Sequence, residues 1–329
     1  MMKLRSATVG LGLAAMLLLS GCGGGSPSGA ADTGSGAGGG GDLTPVTVGV
    51  LSIAPSVAMQ YGIDEGIFEK HGLKVELQTG QGGAAMLPAV STGTMDFAVG
   101  NPLSVLTAAD KGLDMRIVTG YSNSKAEGDD INGVVTRKDS GIDGFADLAG
   151  KTTSVNALKT QGDLTIMDSA AQDGADASQL KFNEMGFQDM EAQLERGNTD
   201  AIWVPEPFLS RALADKDNKL VGYPNQVAIP GLPTMVTFTS GTYADGQKEV
   251  VTKFRDAMTD TLSAAEANQD DAKALLPDFM GMDAKVAKGL KMETWDAEVP
   301  RGQLEKLGEL TVEYDFLSKQ PDLDKIVVQ

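Results

Sequence analysis

The chain has 329 residues, with 45 acidic against 27 basic side chains, a formal charge of −18, one cysteine and one histidine. That acidity opposes nucleic acid and anionic lipid, and one cysteine and one histidine leave no room for a disulfide framework or a cysteine and histidine zinc set. The length suffices for about two domains.

Lys3 and Arg5 form a positive start, Ala7 to Leu19 an apolar stretch of about a dozen residues, and the small residues Ser20 and Gly21 precede Cys22, the layout of a secretory signal. The apolar run is shorter than the roughly 20 residues needed to span a bilayer. Leu19-Ser20-Gly21-Cys22 resembles the bacterial lipobox, in which the cysteine is acylated and becomes the first mature residue. The alternatives are an incidental thiol in a signal cleaved elsewhere and an uncleaved membrane helix. On the lipobox reading, residues 1–21 are a signal peptide, Cys22 is the lipid anchor, and the protein is extracytoplasmic, tethered to the bacterial cell membrane without spanning it. Ten of the twenty residues from Gly23 to Asp42 are glycine, so residues 22–42 form a flexible tether of roughly 25 Å root-mean-square reach. Loss of Lys3 and Arg5 with the signal takes the charge from −18 to −20.

From Leu43 onward, strand-like runs alternate with amphipathic helical stretches, the pattern of sheets flanked by helices. "VTVGVLSI", "LKVELQT", "MDFAVG" and "MRIVTGY" are the strand candidates of the first half, and "NGVVTRK", "TTSVN", "QLKFNEM" and "DAIWV" those of the second. The halves share a unit: "VSTGTMDFAVGNPLSVLTAADK" and "LERGNTDAIWVPEPFLSRALADK" each run from a helix end through G-x-x-D, an apolar strand and a proline into a second helix. Asp96 and Asp200 are therefore expected at equivalent places in two similar α/β lobes. After a further strand, "TMVTFTS", helical patterns at Gln247 to Asn268, Asp270 to Met280, Ala284 to Met292 and Arg301 to Lys319 carry no alternating strands and are expected to pack on one lobe. Turn-rich stretches near Ser122 to Asp130 and Tyr223 to Ile229 read as crossovers. This gives a discontinuous first lobe, residues 43–123 plus 226–329, and a continuous second lobe, residues 124–225.

The catalytic motifs fail one by one. His71 in "EKHGL" reads as the last turn of a helix stopped by Gly72, a usual place for a cation-capable side chain. No H-E-x-x-H, EF-hand loop or G-x-S-x-G occurs, and Ser122-Asn123-Ser124-Lys125 matches S-x-x-K without its companion motifs. "GFADLAGKTT" misses the phosphate-binding loop, because counting back from Gly150-Lys151-Thr152 puts Phe145 where the first glycine must stand. Neither a cofactor nor a metal is expected, and no enzymatic activity.

"YGIDEGIFEKHGLKVEL", "STGTMDFAVG", "DLAGKTTSVN" and "LERGNTDAIWVPEPF" resemble, in order, segments of the nitrate, sulfonate, taurine and thiamine-precursor group of periplasmic-type binding proteins of ABC importers. The resemblance covers most of Val46 to Leu213. It implies a two-lobed type II periplasmic-binding-protein fold with a ligand cleft between lobes. It further implies a monomeric, lipid-anchored receptor that closes on a small organic or anionic nutrient, sulfonate-like or thiamine-precursor-like, and delivers it to a permease with its ATPase. A sensor lipoprotein and an enzyme on the same fold are the alternatives. In open α/β sheets, ligands lie beyond the carboxyl ends of strands, where helix N-termini present free N–H groups. That rule selects Ser56, Gly82, Gly83, Asn101, Asn156 and Glu206. Ser56 and Asn101 equally suit helix caps, Gly82 and Gly83 a turn, and Glu206 a helix dipole. Trp203 lies within a strand and is either core or, as the family implies, a stacking surface for ligand. The helix N-termini after Gly83, Asn101 and Asn156 favour an anionic group and Glu206 opposes one, so the expected ligand presents an N–H donor or a cationic group to Glu206 and an acceptor or anionic group to the opposite lobe.

Overall fold

A computed structural model describes residues 43–328, so the expected signal peptide, Cys22 and the expected tether lie outside the described residues. Among the described residues, eleven strands form two sheets. The first sheet takes β1 (Thr44–Leu51), β2 (Leu73–Gly80), β3 (Phe97–Gly100) and β4 (Met115–Asn123). The second takes β5 (Gly133–Arg137), β6 (Thr152–Val155), β7 (Lys181–Glu184), β8 (Ala201–Val204) and β9 (Asn218–Gly222). The chain then returns to the first sheet as β10 (Pro233–Ser240) and, much later, as the short β11 (Thr294–Trp295).

The strand orders are β11-β4-β10-β3-β1-β2 and β7-β6-β8-β5-β9. In the first sheet β1 runs parallel to β2 and β3, whereas β10 is antiparallel to both β3 and β4. In the second β6 runs parallel to β7 and β8, and β5 is antiparallel to both β8 and β9. Position for position, β7-β6-β8-β5-β9 repeats β2-β1-β3-β10-β4. Strands covered on both faces are typically continuously apolar, as "FAVG" in β3 and "AIWV" in β8 are; β10 is fully buried too, but its Thr234, Thr237, Thr239 and Ser240 hydroxyls are all hydrogen-bonded. The helix Lys248–Ala267 covers the first sheet through Val251, Phe254, Met258 and Leu262, and Phe254 stacks on Phe97 with ring centroids 3.9 Å apart.

The shared unit is structural. Asp96 Oδ2 accepts from the Thr47 N–H (2.8 Å) while the Asp96 N–H donates to the Thr47 carbonyl (3.0 Å). Asp200 repeats both bonds with Thr152, at 2.8 and 2.9 Å. Each aspartate locks the start of its own strand to the neighbouring parallel strand.

One strand escapes the sequence pattern and four local expectations need correction, among them the helix expected over Ala284 to Met292, which ends at Gly289 because Leu290 is extended. β9 is a polar edge strand, "NKLVG", without the alternation that reveals strands. β11 is two residues long and breaks the purely helical reading of the C-terminal region. The helix expected over Asp270 to Met280 is two helices, Gln269–Ala274 and Leu276–Met280, because Pro277 cannot donate to a continuous ladder. The final long helix is Arg301–Glu313 rather than reaching Lys319, since Asp315 adopts a left-handed φ of 57°.

The chain passes between sheets through residues 124–132 and back through 223–232, and these segments run side by side. The Ser124 N–H donates to the Leu232 carbonyl (2.8 Å), and Gln226 Nε2 to the Gly128 carbonyl (3.0 Å).

Because both aspartates pair a half-buried backbone N–H, Asp96→Ala and Asp200→Ala are each expected to lower unfolding free energy by about 1–3 kcal/mol. Urea titration of the two variants checks this, and unchanged midpoints refute the clamp.

Candidate functional site

The carboxyl ends of the parallel strands in both sheets face a common cleft. Leu51, Ile53, Pro55 and Asn101 reach it from the first sheet's loops, and Asn156, Gln161, Phe187, Trp203 and Pro205 from the second. The crossover segments add Ile131, Asn132 and Asn225; β10 adds Thr234 and Met235, and the residue before β11 is Glu293. Together they enclose a cavity of about 50 Å³. The lobes touch above it: the Ala54 N–H donates to the Glu206 carbonyl (3.1 Å), and a Cβ on Gly82 would come within 3.2 Å of Asn156 Nδ2. Farther out, Tyr314 donates its hydroxyl to Asp168 (3.1 Å), and Lys159 Nζ sits 4.4 Å over the Phe316 ring.

Of the residues selected from sequence, Asn101, Asn156 and Trp203 line the cavity. Asn101 is also a helix cap, its Oδ1 accepting from the Ser104 N–H (2.9 Å) and hydroxyl (3.1 Å) at the start of the helix Pro102–Asp110. Glu206 is its counterpart in the second lobe. Its carboxylate accepts from the Ser210 N–H (3.0 Å) and hydroxyl (2.7 Å) in the first turn of the helix Phe208–Ala214. Glu206 is 2% exposed, burial raises its carboxyl above the ordinary value, and the side chain is not part of the cavity wall. Ser56 is fully buried at the start of the helix Val57–Asp64, makes no side-chain cap and stands apart from the wall. Gly82 and Gly83 support the wall from behind. A Cβ on Gly83 would lie 2.9 Å from the Gly100 Cα, and one on Gly100 would lie 2.5 Å from the Gly83 Cα, so only glycine lets the helix Gly83–Ser91 start against the end of β3.

Trp203 is both core and wall. Its ring packs on the Gly162 backbone, where a Cβ would come within 2.8 Å of Cε3, and meets Phe187 at a centroid distance of 6.1 Å. Trp203 Nε1 is buried and has no hydrogen-bond partner among the described residues; the same holds for Gln161 Oε1 and Asn225 Nδ2. Buried polar atoms are nearly always paired, and three of the seven without a partner among the described residues belong to residues around this one cavity.

Glu293 is the acid that lines the cavity. It is 1% exposed; its Oε1 accepts from Asn132 Nδ2 (2.7 Å) and its Oε2 lies 2.7 Å from the Thr234 hydroxyl. Burial, with the nearby charge of Asp130, pushes its carboxyl up to about 7. Asp130, bonded to the Ser124 hydroxyl and the Lys125 N–H, is raised by burial as well.

The sequence rule that chose helix starts reaches Gln161 and Phe187, which are the first residues of the helices Gln161–Gln172 and Phe187–Glu195. Nothing comparable marks Asn132, Asn225 or Glu293. Two belong to crossovers and one to the approach to a two-residue edge strand, so their proximity is purely tertiary.

The model of the family described as NMT1/THI5 like matches residues 56–272. A protein of Bacillus subtilis (strain 168), named as an aliphatic sulfonates-binding protein, is 24% identical over 286 residues, covering 85% of this chain and 83% of its own. Among solved structures, the periplasmic aliphatic sulphonate binding protein of Escherichia coli superposes with a TM-score of 0.69 at 17% identity, over 86% of this chain and 97% of its own. The alkanesulfonate-binding protein of Xanthomonas axonopodis pv. citri, bound to MOPS, gives 0.73 at 15% identity over 88% and 99%. The periplasmic nitrate-binding protein of Synechocystis PCC 6803 gives 0.71 at 12% identity over 87% and 86%. These likenesses establish the two-lobed periplasmic-binding-protein fold.

Between the ordinary carboxyl value and about 7, the folded protein keeps a proton on Glu293 that the unfolded chain has released. Stability therefore falls as pH rises through that window, by up to about 3 kcal/mol from this group. Asp163, which burial pushes up to about 6, acts in the same direction. Thermal melts of wild type are expected to fall between about pH 5 and pH 8 and to fall less for Glu293→Gln; parallel profiles refute this assignment.

Proposed function

The chain belongs to the NMT1/THI5-like family, and on that premise we propose that it is the solute receptor of an ABC importer. It captures a small molecule between its lobes and presents the closed form to a permease with its ATPase. The observation that carries this reading is the cleft itself. Loops from the carboxyl ends of strands in both sheets converge on one cavity, three of its lining residues carry an unpartnered buried polar atom, and a backbone bond from Ala54 to Glu206 joins the lobes. Contacts drawn from both lobes exist together only in a closed form, so a ligand that makes them shifts the population toward closure. The relatives' names supply sulfonates and nitrate as one class of cargo.

The anchor is part of the proposal. Acylation of Cys22 holds the receptor at the extracytoplasmic membrane surface, and the glycine-rich tether of residues 22–42 lets it reach a permease in the same membrane. Among the described residues no helix is long and apolar enough to cross a membrane.

Native mass spectrometry of the purified protein is expected to reveal a bound small molecule. Added back to the stripped protein, that molecule should reduce the radius of gyration in small-angle scattering, and Trp203→Ala should weaken its binding about tenfold or more. A radius that stays constant through saturation refutes closure. For the anchor, Cys22→Ala is expected to move the protein from the membrane to the soluble fraction; unacylated wild type in the soluble fraction refutes it.

A further inference from the structure

Among the described residues no lysine, arginine or histidine lines the cavity, and the one ionisable side chain that does is a carboxyl, Glu293. An anion entering this cleft would lose its hydration without meeting a cation and would approach Glu293, with Asp130 close behind it. Such an unpaired buried charge is strongly disfavoured. The unpartnered atoms state the complementary demand. Trp203 Nε1 and Asn225 Nδ2 are donors that need acceptors, and Gln161 Oε1 is an acceptor that needs a donor. Apolar walls at Trp203, Phe187 and Ile53 favour a ligand with a flat, weakly hydrated face.

Resting on the receptor reading, we infer that the cleft selects an uncharged molecule offering both hydrogen-bond acceptors and a donor, and that Glu293 is the residue that rejects anions. Asn132 and Thr234 hold both carboxyl oxygens in place, so the group cannot swing aside when a ligand enters. The arrangement runs against the sulfonate and nitrate cargo in the relatives' names. It also moves the acid that reads the ligand from Glu206, whose carboxylate caps its own helix, to Glu293.

The test is calorimetry on the full chain at about pH 8, where Glu293 is ionised. The probes are matched planar pairs differing in a carboxylate, nicotinamide against nicotinate and uracil against orotate, together with methanesulfonate and nitrate. At least one uncharged probe is expected to bind at least about tenfold more tightly than its carboxylate partner, with no binding of methanesulfonate or nitrate. In Glu293→Gln the discrimination within that pair should shrink to about threefold or less. Binding of methanesulfonate or nitrate to wild type overturns the inference, as does failure of both uncharged probes or discrimination unchanged in Glu293→Gln. Anion binding accompanied by lobe closure would sink this inference and leave the receptor reading standing. Absence of closure with any probe and with any co-purified molecule would sink the receptor reading itself.

Discussion

The architecture turns on the exchange of one antiparallel strand in each lobe. The first sheet needs β10 between β3 and β4, and β10 is reached only after the second sheet is complete; the second sheet needs β5 between β8 and β9, and β5 is the first strand after the crossing. The chain must therefore cross twice, and the crossings lie against each other through the Ser124–Leu232 and Gln226–Gly128 bonds. Paired crossovers of a few residues are what a hinge requires, because two narrow strips of backbone absorb the rotation while each sheet stays rigid.

The same exchange supplies much of the cleft. Ile131 and Asn132 line it because they lead into β5, Asn225 because it lies on the return path, and Thr234 and Met235 because they open β10. The cavity wall therefore comes from both lobes and from the segments that join them. Glu293, bonded to Asn132 at the end of one crossover and to Thr234 in β10 just beyond the other, ties the two passages together.

The duplicated aspartates and the paired caps show how closely the lobes correspond. Asp96 and Asp200 make the same two backbone bonds, and Asn101 and Glu206 each accept a backbone N–H and a serine hydroxyl in the first turn of the following helix. The correspondence stops at the ligand. Asn101 reaches the cavity and Glu206 does not: Asn101 alone separates β3 from its helix, whereas Pro205, Glu206 and Pro207 separate β8 from its own, and the Glu206 carboxylate turns onto Ser210.

Local pattern alone determined most of the strands, the duplicated G-x-x-D unit, the α/β character of two lobes, and the candidacy of Asn101 and Asn156, whereas Trp203 became a candidate only through the family resemblance. Those features are written in apolar runs, glycine and proline punctuation and cap chemistry, all of which act over a few residues. Polar or very short strands such as β9 and β11 escaped, because they have no apolar alternation and exist only by pairing with β5 and β4. The sequence likewise carried no mark on Glu293, which lies 161 residues from Asn132 and meets it only when β11 adds to the edge of the first sheet. Nor could it tell that Glu206 spends its carboxylate on its own helix. Which acid lines the cavity was decided by tertiary structure, since burial and hydrogen-bond partners are set by what packs across the cleft and not by neighbours along the chain.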